Sequence, residues 1–294
     1  MPRVTRDGVS IHYEHERDRG DPIVFLQGLG FGRWMWRWQR EGLTSDGSGT
    51  CDVIAPDTRG TGRSDSGHPP LVPRLPRRLR RPLLTGRLSY SVGGLAADLE
   101  AVLEDAGVYN AHLVGLDVGG MIALRYALEY NRASSLTLIG TSHGGVDALP
   151  MDENARKQVL ARPKRTDREN VRHRMRPVFS EAFTNRNPHL IDRLIEWRLE
   201  QDADDPALET QLGAFTSFDV TDRLERIRLP TLVIHGSDDQ VVPVANGRLL
   251  HEKLPASQYL EIEGGSHGCF LEDSELVNGR IREFLADLTD TVTV

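Results

Sequence analysis

A carboxylate lies at the centre of the motif in this chain that is most informative about chemistry. Residues 114–127 read VGLDVGGMIALRYA, in which Asp117 separates an apolar strand pattern from the start of a helix. The small residues Gly115 and Gly119 permit a tight strand–turn–helix bend, which raises the central side chain above the edge of a sheet. Serine is the usual nucleophile in such a bend. We therefore predict that Asp117 is a nucleophile with a carboxylate in place of a hydroxyl group.

Two later motifs supply an acid and a histidine. The segment HGSDDQVVP at residues 235–243 follows a strand pattern and offers Asp239, or its neighbour Asp238, as an acid. The segment GGSHGCFLE at residues 264–272 offers His267 after the final strand pattern. We predict that His267 is a general base, and that Asp239 orients its ring and stabilises its protonated form.

An early loop is a candidate for binding a developing negative charge. The segment LQGLGFG at residues 26–32 follows an apolar strand pattern. The amides of Leu29 and Val118 are the predicted pair of donors in an oxyanion hole, which stabilises a tetrahedral intermediate. The predicted substrate-pocket residues are Gln27, Trp34 and Trp197.

Short apolar strand patterns alternate with amphipathic helix patterns along most of the chain. This alternation predicts an α/β fold with a mostly parallel central sheet and helices on both faces. The predicted strands are 22–27, 51–55, 111–115, 135–140, 231–235 and 258–262, and the predicted helices are 93–106, 118–130, 244–254 and 271–285.

The alternation stops between residues 146 and 218, where only charged helical patterns occur. A helical block of this size predicts a cap over the carboxyl-terminal edge of the sheet, where α/β sheets bind ligands. The predicted division is therefore a core of residues 1–145 and 219–294 with a helical cap of residues 146–218. Within the cap, the acidic run Asp202–Asp205 lacks the glycine and glutamate of a calcium loop, and we expect it to be exposed surface.

Taken together, these motifs resemble the α/β-hydrolase superfamily along nearly the whole chain, and the turn DTRGTGRSD at residues 57–65 resembles that superfamily's turn after the fourth core strand. The resemblance implies the α/β-hydrolase fold, with the cap inserted after the sixth core strand. It also implies a catalytic triad on a nucleophile elbow. Serine members cleave esters, lactones and related acyl compounds, whereas aspartate members, the epoxide hydrolases and haloalkane dehalogenases, attack an alkyl carbon. Asp117 stands at the position that divides these groups.

Other residues depart from the aspartate members. Val118 stands where many of them have tryptophan, and residues 146–218 contain no tyrosine to activate an epoxide. Gln27 stands where a histidine is common in the superfamily, directly before the glycine of the oxyanion loop. The rest of the framework reads closer to the esterase and lactonase branch. A second match to the elbow pattern, GTSHGG around Ser142, is followed by a loop containing proline rather than by a helix.

Three hypotheses follow for function. The favoured one is a cofactor-free hydrolase of a small, largely apolar substrate, in which Asp117 forms a covalent ester and His267 activates water. The second is an ester or lactone hydrolase with aspartate in place of serine. The third is a binding protein that keeps the fold and pocket without catalysis.

The composition narrows the possible partners. The chain has 294 residues and a formal net charge of −7, so it has no global attraction to nucleic acid. No apolar stretch reaches membrane-helix length, no signal peptide is evident, and two cysteines make no disulfide framework, so we expect a cytoplasmic monomer or homodimer. No metal-ligand or nucleotide-binding spacing occurs, so we predict neither metal nor cofactor.

Residues 71–87 form an unusual segment with six arginines and three prolines. Pro76 and Pro82 limit any helix there to a turn or two. We expect its leucines to pack on the body of the protein and its arginines to lie in water, with contact to an anionic membrane as the alternative.

Overall fold

One mixed sheet runs through the computed structural model, which describes residues 1–18, 20–44, 52–88, 90–159 and 166–292. Its strands are β1 (Arg3–Arg6), β2 (Val9–Glu16), β3 (Ile23–Leu26), β4 (Val53–Pro56), β5 (Ala111–Leu116), β6 (Ala133–Ile139), β7 (Thr231–Gly236) and β8 (Ser257–Ile262). The strand order is β1-β2-β4-β3-β5-β6-β7-β8. All neighbours from β4 to β8 are parallel, whereas β1 pairs with β2, and β2 with β4, antiparallel.

The central strands are apolar because helices cover both faces of the sheet. Every residue of β3 and β5 is buried. The two antiparallel strands β1 and β2 are not among the strands predicted from the sequence. In β2 the buried residues Val9, Ile11 and Tyr13 alternate with polar ones, which is the period-two pattern of a half-buried strand. Cys51, the first residue of one predicted strand, lies outside the described residues.

Helices flank the sheet on both faces and form two apolar cores. One core joins residues such as Leu99 and Ile122, and the other joins residues such as Trp36 and Phe284. Full burial of side chains of this size contributes about 1.5–3 kcal/mol each. The helices outside the predicted cap are α1 (Arg37–Thr44), α2 (Arg77–Leu84), α3 (Val92–Ala106), α4 (Val118–Glu129), α10 (Ala245–Lys253), α11 (Cys269–Glu272) and α12 (Ser274–Val292).

Among the described residues, five α-helices lie between β6 and β7. The chain enters and leaves this helical insertion at one place, because Gly144 and Asp219 form an isolated antiparallel bridge. The amide of Gly145 donates to the carbonyl of Phe218 at 3.0 Å beside it. The five helices are α5 (Glu153–Val159), α6 (Asp167–Met175), α7 (Glu181–Arg186), α8 (Pro188–Gln201) and α9 (Asp205–Thr216). The predicted α/β-hydrolase architecture is thus confirmed.

The arginine-rich segment does not pack as we expected. Leu71 and Leu79 are exposed, whereas Leu84 is buried. Arg80 is buried too, and its Nε donates to Glu209 Oε2 of α9 at 3.1 Å. Helix α2 begins directly after Pro76, contains Pro82 and is eight residues long, which agrees with the expected limit of a turn or two. Within the described residues, no helix is both long and apolar enough to cross a membrane.

The turn between β5 and α4 leaves no room for side chains at two glycines. A Cβ on Gly119 would lie 2.1 Å from the carbonyl oxygen of Leu26, and one on Gly115 would lie 2.4 Å from the carbonyl carbon of Gly119. The start of α4 therefore approaches β3 and β5 more closely than any other residue type allows.

This close approach predicts opposite effects for two glycine substitutions. Gly119→Ala forces backbone atoms apart and should lower the free energy of unfolding by about 3 kcal/mol or more. Gly279→Ala in α12 is the matched control, because a Cβ there meets nothing within 4 Å. It should raise stability by about 0.5–1 kcal/mol. Urea denaturation measures both values, and equal stability of Gly119→Ala and the parent would contradict this description of the turn.

Candidate active site

The turn after β5 holds Asp117 in a strained conformation at the edge of the sheet. Its φ of 50° and ψ of −115° are unusual for a residue with a side chain. The Asp117 amide donates to the carbonyl of Ile139 at 3.1 Å, and the Thr141 hydroxyl donates to the Asp117 carbonyl at 2.6 Å. Hydrogen bonds to both the N–H and the C=O of Asp117 therefore hold its backbone, and with it the direction in which the side chain leaves the turn.

The two oxygens of the Asp117 carboxylate have different surroundings. Oδ2 accepts a hydrogen bond from the Leu29 amide at 3.0 Å, and the Val118 amide also stabilises the charged carboxylate. Oδ1 is buried and has no hydrogen-bond partner among the described residues. The structure thus brings both predicted oxyanion donors to Asp117 and leaves one carboxylate oxygen open.

Loops after β7 and β8 bring Asp239 and His267 together. His267 Nδ1 lies 2.7 Å from Asp239 Oδ2, so Nδ1 is the protonated ring nitrogen facing this acceptor. The other oxygen of Asp239 accepts from the amides of Val241 and Val242, each at 2.8 Å. Asp238 is exposed, so the acid that contacts the histidine is Asp239.

The outer ring nitrogen of His267 is open. His267 Nε2 is buried without a hydrogen-bond partner among the described residues, and its ring lines the same cavity as Asp117. Gly140 permits this arrangement, because a Cβ there would lie 3.2 Å from Asp239 Oδ2 and 3.3 Å from His267 Nδ1. The open nitrogen and the open carboxylate oxygen are thus two buried polar atoms without partners among the described residues of this site.

Burial and mutual charge shift the pKa values of all three groups. Burial raises the pKa of Asp117 above its usual value, although His267 and two backbone amides oppose this effect. Burial also favours neutral Asp239, but two histidine rings outweigh it and lower its pKa to about 2. Burial disfavours protonated His267, but Asp239 and Asp117 outweigh burial and raise the pKa of its ring. Asp239 is therefore an anion at neutral pH and stabilises the protonated histidine.

A cavity of about 560 Å³ adjoins the carboxylate, a size typical of sites for small ligands. Leu29 and Phe31 line it from the sheet side, and Arg174, Arg198 and Asp202 line it from the helical insertion. A ligand in this cavity would be enclosed between the sheet edge and the insertion.

The three predicted pocket residues do not line this cavity. Trp34 and Trp197 line a separate cavity of about 340 Å³, where their ring centroids are 6.2 Å apart. Gln27 is buried, and its side-chain amide donates to the carbonyl of Pro56 at 2.5 Å. These side chains stabilise the packing around the loop after β3, and their aromatic or polar character alone did not reveal that.

The acidic run in the insertion differs from the exposed surface that its sequence led us to expect. Asp202 Oδ1 accepts from the Gly32 amide at 3.0 Å and from the Trp34 indole at 2.8 Å, while Oδ2 accepts from Arg198 Nε at 2.6 Å. A second contact comes from Gln211, whose Oε1 accepts from the Gly30 amide at 2.8 Å. Asp202 and Gln211 therefore hold the loop that carries the Leu29 amide. No local sequence signal identifies them, since their partners are about 170 to 180 residues away.

Ser142, the alternative nucleophile, lies in a different environment. Its hydroxyl oxygen accepts from the Gly144 amide at 3.1 Å within its own turn. It lines a neighbouring cavity whose described lining includes neither Asp117 nor His267. No cluster of histidine, cysteine or acidic side chains suited to a metal ion occurs in the part of the chain that the structure describes.

Comparison with known proteins shows the family to which the chain belongs. A family model described as the alpha/beta hydrolase fold matches residues 21–274. RutD of Azorhizobium caulinodans, provisionally assigned as a carbamate hydrolase, is 28% identical over 98% of this chain and 99% of its own length. A non-heme haloperoxidase of Rhodococcus erythropolis is 28% identical over 97% of this chain and 99% of its own.

A solved structure extends the likeness to three dimensions. Est816, described as an N-acyl homoserine lactone degrading enzyme, superimposes with a TM-score of 0.75 and 26% identity, covering 96% of this chain and 100% of its own. Because the family model spans most of the chain and the relatives match over nearly their full lengths, this chain is an enzyme that belongs to the α/β-hydrolase-fold family of hydrolases.

Proposed function

We propose that this enzyme hydrolyses a small substrate through a covalent ester on Asp117, without a cofactor. One observation carries the proposal: Oδ2 of Asp117 accepts the Leu29 amide, while Oδ1 is buried without a partner among the described residues. In a serine enzyme the corresponding donors receive an oxygen of the substrate. Here an oxygen of the nucleophile itself lies at the predicted oxyanion hole.

In the first step, Oδ1 of Asp117 attacks an electrophilic carbon and displaces the leaving group. A new carbon–oxygen bond makes the ester, and the electron pair of the broken bond departs with the leaving group. This step needs no base, because the carboxylate is the reactive form. Oδ2 becomes the carbonyl oxygen of the ester and stays on the Leu29 amide, with the Val118 amide as the proposed second donor.

In the second step, His267 Nε2 takes a proton from water, and the oxygen of that water attacks Cγ of Asp117. Negative charge develops on Oδ2, where two amide donors each contribute about 3–4 kcal/mol in comparable sites. Collapse of the intermediate breaks the bond between Cγ and Oδ1, and the protonated histidine supplies a proton to the departing alkoxide. Asp239 stabilises the imidazolium while the intermediate exists.

The division of the chain into two units follows from the same proposal. Residues 1–145 and 219–294 would form the core that holds the three reactive side chains. Residues 146–218 would form a cap that limits the access of water to the cavity. The Gly144–Asp219 bridge at the base of the insertion supports these boundaries.

A second candidate is an ester or lactone hydrolase in which Asp117 is a base for direct attack by water. The 26% identity to Est816, a lactone-degrading enzyme by its description, favours this candidate. Esters, lactones, epoxides and haloalkanes assayed side by side show which bond is cleaved. The same reactions in heavy-oxygen water separate the two mechanisms, because direct attack by water leaves no oxygen of Asp117 in the product.

The covalent mechanism predicts that loss of the base stops the cycle after the first step. With a substrate from this panel, His267→Gln should accumulate an adduct that intact mass detects and digestion maps to Asp117. The double variant His267→Gln with Asp117→Asn should form none, whereas adding Ser142→Ala to His267→Gln should leave the adduct unchanged.

The same mechanism predicts where the oxygen of water goes in the parent enzyme. Single turnover in heavy-oxygen water should label Asp117 before product. Label that appears at once in the product, with no adduct, would rule out the covalent ester.

The contact between Asp239 and His267 predicts that a substitution of Asp239 lowers turnover strongly, whereas the same substitution of its neighbour Asp238 does not. Asp239→Asn removes the charge that stabilises the imidazolium, so kcat should fall on the order of 10³–10⁴-fold. Asp238→Asn is the matched control and should stay within about twofold of the parent, since Asp238 is exposed. Steady-state kinetics and circular dichroism test this together, and the reverse order of the two effects would shift the acid by one residue.

The raised pKa of His267 predicts how the adduct varies with pH. Only the neutral ring removes a proton from water, so the second step slows as pH falls through the pKa of His267 in the adduct. There the charge of Asp117 is lost on esterification, and Asp239 alone still opposes burial by raising this pKa. The fraction of parent enzyme present as adduct should therefore rise on acidification. It should fall again at lower pH, where Asp117 becomes protonated. Acid quench and intact mass at steady state measure this fraction, and an adduct that is most abundant at alkaline pH would contradict the assigned base.

A further inference from the structure

A second cavity of about 440 Å³ adjoins the one that contains Asp117. The two cavities share four lining residues, Leu29, Met151, Val159 and Val241. One set of side chains therefore borders both cavities, and the second cavity lies directly beside the one that contains Asp117. Nothing in the proposed chemistry requires this additional space.

Most of the second cavity is apolar. Its lining comes from α4, α9 and the loops around the insertion, so the sheet core and the insertion both contribute. The apolar side chains that belong to this cavity alone include Met121, Leu212, Phe215, Phe218 and Val242. Such a lining favours an aliphatic chain, since each buried methylene improves affinity by about fourfold.

The charged groups of the second cavity are of one sign. Arg81 of α2 and Arg156 of α5 line it, and no carboxylate does so among the described residues. The first cavity differs, because several aspartates line it, including Asp202 and Asp205. The apolar cavity therefore has two cations and no internal anion within the part of the chain that is described.

Two neighbouring arginines of α2 form ion pairs, whereas Arg81 forms none with the described residues. Arg77 and Arg80 both pair with Glu209, with N–O distances of 2.9 and 3.1 Å. Neither Arg81 nor Arg156 forms an ion pair with any described residue. Two guanidinium groups of the arginine-rich segment thus bind α2 to Glu209 of α9, and a third arginine of the segment, Arg81, lines the second cavity.

We propose that the second cavity binds the alkyl carboxylate arm of the substrate. The aliphatic chain would lie along the apolar lining, and its carboxylate would pair with Arg81 and Arg156. This inference rests on the proposed function in one respect, because it assigns the reactive carbon of that substrate to the cavity of Asp117. The substrate class is then a medium-chain monocarboxylate with an electrophilic carbon remote from its carboxylate.

Binding of unreactive ligands tests the inference without turnover. Decanoate, decan-1-ol and decylamine share a chain length and differ in the charge of the head group. In calorimetric titrations of the parent enzyme below micelle-forming concentrations, decanoate should bind at least about tenfold more tightly than decan-1-ol, and decylamine should bind most weakly. Equal affinities for the acid and the alcohol would overturn the proposal.

Four variants locate the bound ligand. Arg81→Gln and Arg156→Gln should each weaken decanoate by about three- to tenfold and leave decan-1-ol unchanged. Arg78→Gln is the matched control, because Arg78 is an exposed arginine of the same helix that does not line the cavity. Ala148→Trp fills the cavity and should weaken both ligands. An effect of Arg78→Gln equal to that of Arg81→Gln would indicate diffuse attraction and overturn the site.

The outcomes for this inference and for the proposed mechanism are separable. If decanoate binds as expected but His267→Gln forms no adduct, the covalent mechanism fails and the ligand site stands. If the adduct forms with short substrates while decanoate does not prefer the parent over Arg81→Gln, the ligand site fails and the mechanism stands.

Discussion

The hydrogen bond from the Leu29 amide to Oδ2 of Asp117 is the interaction on which the arrangement of the site depends. It joins two buried atoms 3.0 Å apart, one in the loop after β3 and one in the turn after β5. Burial of a carboxylate without donors is costly. The amide that reduces this cost also determines which oxygen is held and which stays open. One backbone N–H thus stabilises the folded protein and defines the proposed nucleophilic atom.

The helical insertion takes part in this arrangement, because it holds the loop that carries the Leu29 amide. Just after that residue, Gly30 donates to Gln211 and Gly32 donates to Asp202. The Ala203 amide also donates to the carbonyl of Gly30 at 2.9 Å. Because these contacts come from the junction of α8 and α9, motion of that junction would move the proposed oxyanion donor. In the proposed mechanism, the insertion would therefore couple enclosure of the cavity to the geometry of the second step.

The sequence predicted the features that depend on local patterns. Buried parallel strands are continuous apolar runs, and a tight turn between strand and helix needs glycines, so the central sheet and Asp117 could be identified from short segments. The role of Asp202 could not be predicted, because its donors lie about 170 residues away and an isolated acidic run indicates exposed surface. Trp34 and Trp197 are opposite cases: their aromatic character indicated a pocket, whereas the packing of the insertion places them outside the site.

Aspartate at the elbow changes what the two backbone donors can do. In serine members of this fold, the donors receive the carbonyl oxygen of an acyl substrate. Here Oδ2 of Asp117 already accepts the Leu29 amide, so an acyl substrate finds no open donor there. An alkyl electrophile needs none in the first step, because no oxyanion forms until water attacks the ester. Under the proposed mechanism, the same amides therefore change from binding a substrate oxygen to binding an enzyme oxygen, and this one position separates acyl from alkyl chemistry.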